Sequence, residues 1–472
     1  MLLQRLYDSQ LAQASYLIGC AAVGEAIVLD PTRDADKYLA AAAALGVRIK
    51  HVTETHIHAD FVSGSRELAA RTGARLYLSG EGGTDWCYDY AEAESAVLLY
   101  EGDEICVGNI RLHVVHTPGH TPEHLTFLVT DGAAATEPIG AVTGDFVFVG
   151  DVGRPDLLER AAKHEGTMDS AARTLFRSLQ RFKSLPDWLQ VWPGHGAGSA
   201  CGKGLSAVPH STVGYERRFN WAFAVSQEDE FVRQVLAGQP DPPRYFGAMK
   251  RTNKEGPCIL AGLPAPPRLP AERLTKLVGE GAFVIDARPA SDHAGGHIPG
   301  TLNIPLNKSF TSWAGWLVPY DRDLYLILGD VARSDEAIRD LRMIGLDRIA
   351  GIFGPDAVSA WATDGRALQV VRHMDIAELR NGLPRGADII DVRSRAEWEA
   401  GRMPGVKNFP LGGLEERMEE LPKGRPLVVY CQGGSRSAIA ASLLQSRGFS
   451  EVVNLAGGFA EWQRTGSPTE RT

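Results

Sequence analysis

Four short runs hold side chains able to bind a metal ion. In ETHIHADFVSG, His56, His58 and Asp60 fall on alternate positions after a β-like run, RIKHVT. HTPGHTPEH places His120 in a Gly/Pro turn after a strand. AVTGDFVFVGDVGRPD places Asp145 at a strand end, and VWPGHGAG places His195 in another strand-end loop. Loops on a rigid sheet let such groups converge without strain. Any one of these histidines alone reads as an ordinary hydrogen-bonder, but the ordered His/Asp set points to metal-ligand chemistry. The ligand types leave the metal open, since they suit iron as well as a zinc that activates one water. His51, His113, His116, His124 and His164 lie nearby and read as structural, because no motif position claims them. Cys201, six residues after His195 in HGAGSACGKG, is either a small packed thiol or one that carries or positions a sulfur near the metal. Arg217 and Arg218 read as a solvated helix face or as partners for a substrate carboxylate.

A second chemistry stands in LVVYCQGGSRSAIAASLL, where Cys431 sits at the point a buried strand stops. The turn that follows runs through Gln432, Gly433, Gly434, Ser435 and Ser437. Backbone N–H groups aimed into such a turn, with the N-terminus of the next helix, stabilise an anion. A thiolate held there is a good nucleophile, and Arg436 adds positive charge.

The elements that must position these groups follow from the patterning. Residues 1 to about 235 alternate strand-like runs (SYLIGC, EAIVLD, LTFLVT, GAVTGDFVFVG) with helical ones (ADKYLAAAAALG, SAARTLFRSLQRFKSL), the texture of a mixed α/β domain. From Gly238 a Pro/Gly-rich stretch with little periodicity, GQPDPPRYFGAMKRTNKEGPCILAGLPAPPRLP, reads as a domain boundary. Beyond it lies an internal repeat: VIDARPASDHAGGHIPGTLNIPL from Val284 parallels IIDVRSRAEWEAGRMPGVKNFPL from Ile389. Asp286 matches Asp391, Arg288 matches Arg393 and Asn303 matches Asn408 at one constant offset. A period of about a hundred residues is domain-sized, far longer than a solenoid repeat. Aligning Arg333 with Arg436 puts Leu328 in the place of the cysteine and Asp330 inside the loop. Leucine cannot carry sulfur, so this copy is expected to be inactive and to act as spacer, docking surface or oligomer contact.

The T-H-x-H-x-D run, the G-H-T turn, the T-G-D strand end and the P-G-H loop resemble the metallo-β-lactamase superfamily, and most closely its persulfide dioxygenases fused to rhodanese domains. The resemblance implies an α/β multidomain chain: an αββα sandwich over residues 1–255, an inactive rhodanese-like domain with its linker over 256–368, and an active rhodanese domain over 369–472. It implies one mononuclear Fe(II) per chain, held by His56, His120 and Asp145. Glyoxalase II relatives hold a second metal with the Asp and the following His of the run plus the P-G-H histidine. Here Phe61 takes that following place, so the second site is expected to be broken, with Asp60 and His195 left as supporting or substrate-facing groups and His58 either ligating or only hydrogen bonding. Two imidazoles and a carboxylate on one face of an octahedral iron leave three positions open. The implied activity is oxidation of a low-molecular-weight thiol persulfide by O2 to sulfite and thiol, with sulfane sulfur passed through Cys431 to or from sulfite and thiosulfate. The alternatives are a zinc-dependent thioester hydrolase of the glyoxalase II type with an appended sulfurtransferase, and a sulfur carrier with a vestigial metal domain.

Composition sets the outer bounds. The chain has 472 residues, too many for one compact core. Its formal charge of −9 gives no footprint for nucleic acid, and no apolar run reaches membrane-spanning length. The six cysteines are scattered, with no C-x-x-C pair, which argues against a disulfide framework and for a cytoplasmic setting. A homo-oligomer, dimer or tetramer, is expected.

Overall fold

The computed structural model describes residues 1–157, 166–239 and 241–471. The chain forms two compact units, Met1–Pro264 with Arg342–Gly345, and Ala265–Leu341 with Leu346–Thr472.

The first unit is built on two six-stranded sheets. One contains β1 (Leu2–Asp8), β2 (Gln13–Cys20), β3 (Glu25–Leu29), β4 (Arg48–Thr53), β5 (Arg75–Ser79) and β6 (Val97–Leu99), in that spatial order. The other contains β7 (Glu104–Val107), β8 (Ile110–His116), β9 (Leu125–Asp131), β10 (Gly140–Gly144), β11 (Gln190–Pro193) and β12 (Ser211–Thr212), ordered β12-β11-β10-β9-β8-β7. Strand alternation sorts the side chains into layers. Tyr16, Ile18, Ile27 and Leu29 meet Leu112, Val114, Phe127 and Val129 between the sheets. Their neighbours Leu17, Ala26 and Val28 face outward onto Tyr38, Ala41 and Leu68 of the helices Ala35–Ala44 and Ser65–Thr72. On the far side, Leu175, Leu179 and Phe182 recur at helical spacing along the helix Met168–Lys183 and pack with Phe231 and Val235 against Ala141 and Val191. The four-layer αββα order is therefore present. The run GAVTGDFVFVG is a strand only as far as Gly144. There φ is +48°, and a Cβ would stand 2.4 Å from Thr55 Oγ1, so glycine is required where the chain turns out of the sheet.

The Pro/Gly-rich stretch is more structured than its composition suggests. It contains the helix Phe246–Glu255, with Phe246, Met249 and Asn253 buried.

The second unit holds two parallel sheets. The middle one contains β13 (Phe283–Asp286), β14 (Leu302–Asn303), β15 (Leu324–Ile327) and β16 (Ile349–Phe353), ordered β14-β13-β15-β16. The last contains β17 (Arg372–Met374), β18 (Asp388–Asp391), β19 (Lys407–Asn408), β20 (Leu427–Tyr430) and β21 (Val452–Leu455), ordered β17-β21-β20-β18-β19. Read from opposite edges the orders coincide, with a parallel bridge from Arg268 to Ile352 standing where β17 stands in the second copy. The matched residues of the repeat do the same structural work in each copy. Asp286 pairs with Arg288 and Asp391 with Arg393, at 2.6 and 2.7 Å. Asn303 and Asn408 each tie down two carbonyls of that turn. No helix among the described residues is long and apolar enough to cross a membrane.

Candidate metal centre and cysteine loop

The loops after β4, β8, β10 and β11 deliver the predicted side chains to one place. Ligand atoms of His56, His120 and Asp145 lie within 4.8 Å of one another, and all three residues are buried. His56 Nε2 and His120 Nε2 face Asp145 Oδ2 at 3.9 and 3.6 Å. Each ring is aimed by its other nitrogen. His120 Nδ1–H donates to the Arg154 carbonyl at 3.1 Å. His56 Nδ1 meets Thr55 Oγ1 at 2.9 Å, and that hydroxyl donates to Asp30 Oδ2 at 3.0 Å. Such outer partners set the tautomer and leave Nε2 as the free lone pair.

Electrostatics match this donor set to a cation. Burial and neighbouring imidazoles push His56 well below its usual range, and burial pushes His120 down to about 3, so both rings are neutral. Burial raises Asp145 above the ordinary carboxylate range. Both of its carboxylate oxygens are buried without a hydrogen-bond partner. A buried carboxylate facing two neutral lone pairs is costly unless a positive ion is shared among them. The residues therefore fit a divalent metal.

His58 is placed differently. Its Nε2 lies 3.1 Å from Asp30 Oδ1, and its ring rests on Phe61 at a centroid distance of 4.4 Å. Burial would lower its pKa, but the charge and hydrogen bond of Asp30, with Glu54 and Asp60, raise it to about 9. A charged imidazole braced on Asp30 supports the loop, and its ring is not a lone-pair donor in this state.

Phe61, fully buried, removes one imidazole, yet a second donor trio stands beside the first. Asp60, His195 and Cys201 offer ligand atoms within 4.8 Å of one another. His195 Nε2 lies 3.3 Å from Asp60 Oδ2 and 3.4 Å from Asp145 Oδ1, so Asp145 faces both trios. His195 is oriented by Nδ1–H donation to the Ala12 carbonyl at 3.1 Å. Burial, with Asp145 and Asp60, pushes the Cys201 thiol well above its usual range, so it stays protonated where no cation adjoins it.

Two further residues support the site: His124, read from the sequence as structural, and Asn253, which the sequence reading missed. His124 Nε2 accepts the Asp145 N–H at 3.2 Å, and its ring stacks 5.1 Å from that of His56. Asn253 Nδ2 donates to the His58 and Phe61 carbonyls at 2.8 and 2.7 Å, while its Oδ1 accepts the Ser63 N–H at 2.8 Å. Among the remaining histidines, His51 bonds Tyr77 and His116 bonds the Pro122 carbonyl; His164 lies outside the described residues. Arg217 is taken up by Asp187 and nearby carbonyls.

In the second unit, Cys431 follows β20 and is buried. The Gly434 N–H donates to its Sγ at 3.1 Å, and the Ser437 hydroxyl points at the same sulfur from 3.5 Å. Gly434 has φ +103° and caps the helix Ser435–Ser446. Gln432 is held by Arg393 at 3.2 Å. The Phe459 and Ala460 N–H groups donate to the Cys431 and Gln432 carbonyls. Arg436 does not reach the sulfur as an open charge: both its terminal nitrogens bind Glu397, at 2.6 and 2.7 Å. One cavity is lined by Gly433, Gly434 and Ser435 and by Leu328, Asp330 and Arg333 of the middle copy. In that copy Asp330, exposed, caps its own short helix by accepting the Ala332 N–H, and Leu328 is buried.

Known protein families match a segment of each unit. The metallo-beta-lactamase superfamily profile matches residues 9–195, and the rhodanese-like domain profile matches residues 375–465. A metallo-beta-lactamase of known structure from Staphylococcus aureus is 44% identical, with a TM-score of 0.69, over 75% of this chain and 99% of that one. The human mitochondrial persulfide dioxygenase ETHE1 is 28% identical over 49% of this chain and 80% of its own. A sulfurtransferase of Allochromatium vinosum is 36% identical over 21% of this chain and 94% of its own.

Proposed function

We propose, from the premise that this chain belongs to the metallo-β-lactamase superfamily and carries a C-terminal rhodanese-like domain, that it is a persulfide dioxygenase joined to a sulfurtransferase. The observation that carries the reading is the buried trio of neutral His56, neutral His120 and unpartnered Asp145, in one chain with a cysteine whose sulfur is met by a backbone N–H. A mononuclear Fe(II) bound by that trio would supply the redox chemistry that couples O2 to a sulfane sulfur. The overall change is RSSH + O2 + H2O → RSH + SO3²⁻ + 2H⁺.

The chain's own groups do the rest. Asp30, Thr55, His124 and the Arg154 carbonyl hold the donor atoms in place, and Asn253 and His58 pin the loop that carries them. At the other site the Cys431 thiolate attacks the outer sulfur of a persulfide, and the thiol leaves. The resulting Cys431–S–S⁻ is stabilised by the Gly434 N–H and the Ser437 hydroxyl. Sulfite then takes the outer sulfur as thiosulfate and restores the thiolate; run backward, the same step loads Cys431 from thiosulfate. Arg436, engaged by Glu397, acts as a brace for the loop. The middle copy, lacking a nucleophile, serves as an inactive rhodanese-like domain whose loop walls the cavity at Gly433–Ser435.

A second reading is favoured by the Asp60–His195–Cys201 trio. With Asp145 between the two trios, the site has donors for two ions, as a zinc hydrolase would need. Anaerobic purification followed by metal analysis and product assay separates the two. One iron per chain, O2-dependent sulfite from the Cys431→Ser variant and thiosulfate from the parent support the dioxygenase–transferase. Two zinc ions with thioester cleavage under argon, or normal thiosulfate from the Cys431→Ser variant, would overturn it.

A further inference from the structure

A cavity in the first unit is lined by His120, Thr121 and Lys250 together with Ile57, Trp86 and Phe246. Among the described residues, Lys250 is the only cationic side chain in that lining. It lies half-buried on the helix Phe246–Glu255, with its Nζ 3.3 Å from the centre of the Trp86 ring. Among the described residues no carboxylate stands within ion-pair distance of it, and it makes no hydrogen bond. An ammonium that has lost much of its water and gained only an indole face lacks an anion. Asn253, one turn along the same helix, bonds the carbonyls of His58 and Phe61, so the helix that carries Lys250 is tied to the metal-binding loop.

Resting on the dioxygenase reading above, we propose that Lys250 receives a carboxylate of the substrate, so that the persulfides taken at this site are those of short, carboxylate-bearing thiols with the sulfur directed to His120. Trp86 supports the ammonium from one side and leaves its N–H groups free for the incoming anion. Burial holds Lys250 down to about 8, against the opposing pull of Glu123. It is thus still mostly protonated at neutral pH, and a bound carboxylate would raise it.

The test uses the full-length, metal-loaded protein with a matched pair of substrates, the persulfides of N-acetylcysteine and of N-acetylcysteine amide, which differ only in the carboxylate. The parent should show a KM for O2 uptake about tenfold lower with the acid than with the amide. Lys250→Met should erase that difference through KM alone, leaving kcat and the amide's KM in place, and Lys250→Arg should keep it. A second readout needs no turnover: calorimetric binding of the product thiol N-acetylcysteine should weaken about tenfold in Lys250→Met and persist in Lys250→Arg. Equal KM values for acid and amide in the parent, or unchanged acid binding in Lys250→Met, would overturn the assignment. Absence of O2 uptake with either persulfide would instead overturn the dioxygenase reading, while the binding arm would still decide the role of Lys250.

Discussion

At the scale of single residues, Asp145 and Glu397 illustrate two opposite fates of a carboxylate. Asp145 is raised by burial and has no partner, so its charge is secured only by a cation. Asp145→Asn should retain the fold and lower the affinity for metal at least about a hundredfold, measured as metal per chain after dialysis against a graded chelator. Metal retention at the parent's level would remove Asp145 from the ligand set. Glu397 is the reverse case. Burial opposes its ionisation, but the hydrogen bonds and charge of Arg436, with Ser394, bring it down to about 2 from an ordinary 4.5. A depressed pKa contributes stability that is complete above the unfolded value and is lost as pH falls from about 4.5 towards 2. Urea midpoints for the parent should therefore fall across that window more steeply than for Glu397→Gln, and parallel curves would refute the pairing's contribution.

At the scale of elements, helices and turns decide how well the chemistry is aimed. Asn253 makes three bonds from the helix Phe246–Glu255 to the loop His58–Ser63. Asn253→Ala would strand a buried N–H and two carbonyls, so it should cost at least about 2 kcal/mol in urea unfolding and loosen metal binding. A stability equal to the parent's would mean the loop stands without that helix. The transfer loop has its own fixed point at Gly458, where φ is +55° and a Cβ would lie 2.2 Å from the Cys431 carbonyl oxygen. Gly458→Ala should displace the cysteine and lower thiosulfate formation about tenfold or more, since misplacement by an ångström is costly to an aligned nucleophile. Sulfite production should not change. Much of this scale was legible beforehand: the helix Met168–Lys183 and the strand–loop–helix around Cys431 follow from periodicity and glycine placement. The helix Phe246–Glu255 was not, because its flanking prolines and mixed polar sequence hide a face of only Phe246, Met249 and Asn253.

At the scale of the whole molecule, the two candidate sites fall in two compact units. Removing the metal with a chelator from the full-length protein should abolish O2 uptake and leave transfer from thiosulfate to a thiol through Cys431 in place. Loss of both activities together would show that the transfer site depends on the metal. The repeat in the second unit gives its two halves the same order of parallel strands. The residues that match between copies, Asp286 with Arg288 and Asp391 with Arg393, belong to the turn that follows β13 and β18. Leu328, buried, stands at the position that aligns with Cys431.

The order of metal-binding motifs, the nucleophile in its glycine turn and the repeat were determined by the sequence alone, since each depends on spacing within a short run. Which atoms meet across the fold was decided only by the tertiary structure. His124 aims Asp145, Glu397 engages Arg436, and Cys201 joins Asp60 and His195 beside the first trio. Lys250 comes to line a cavity with His120, 130 positions away in the chain. The physical reason is that side-chain type and local geometry are written along the chain, while the partner of a buried charge is set by where distant loops are brought together by packing of the layers.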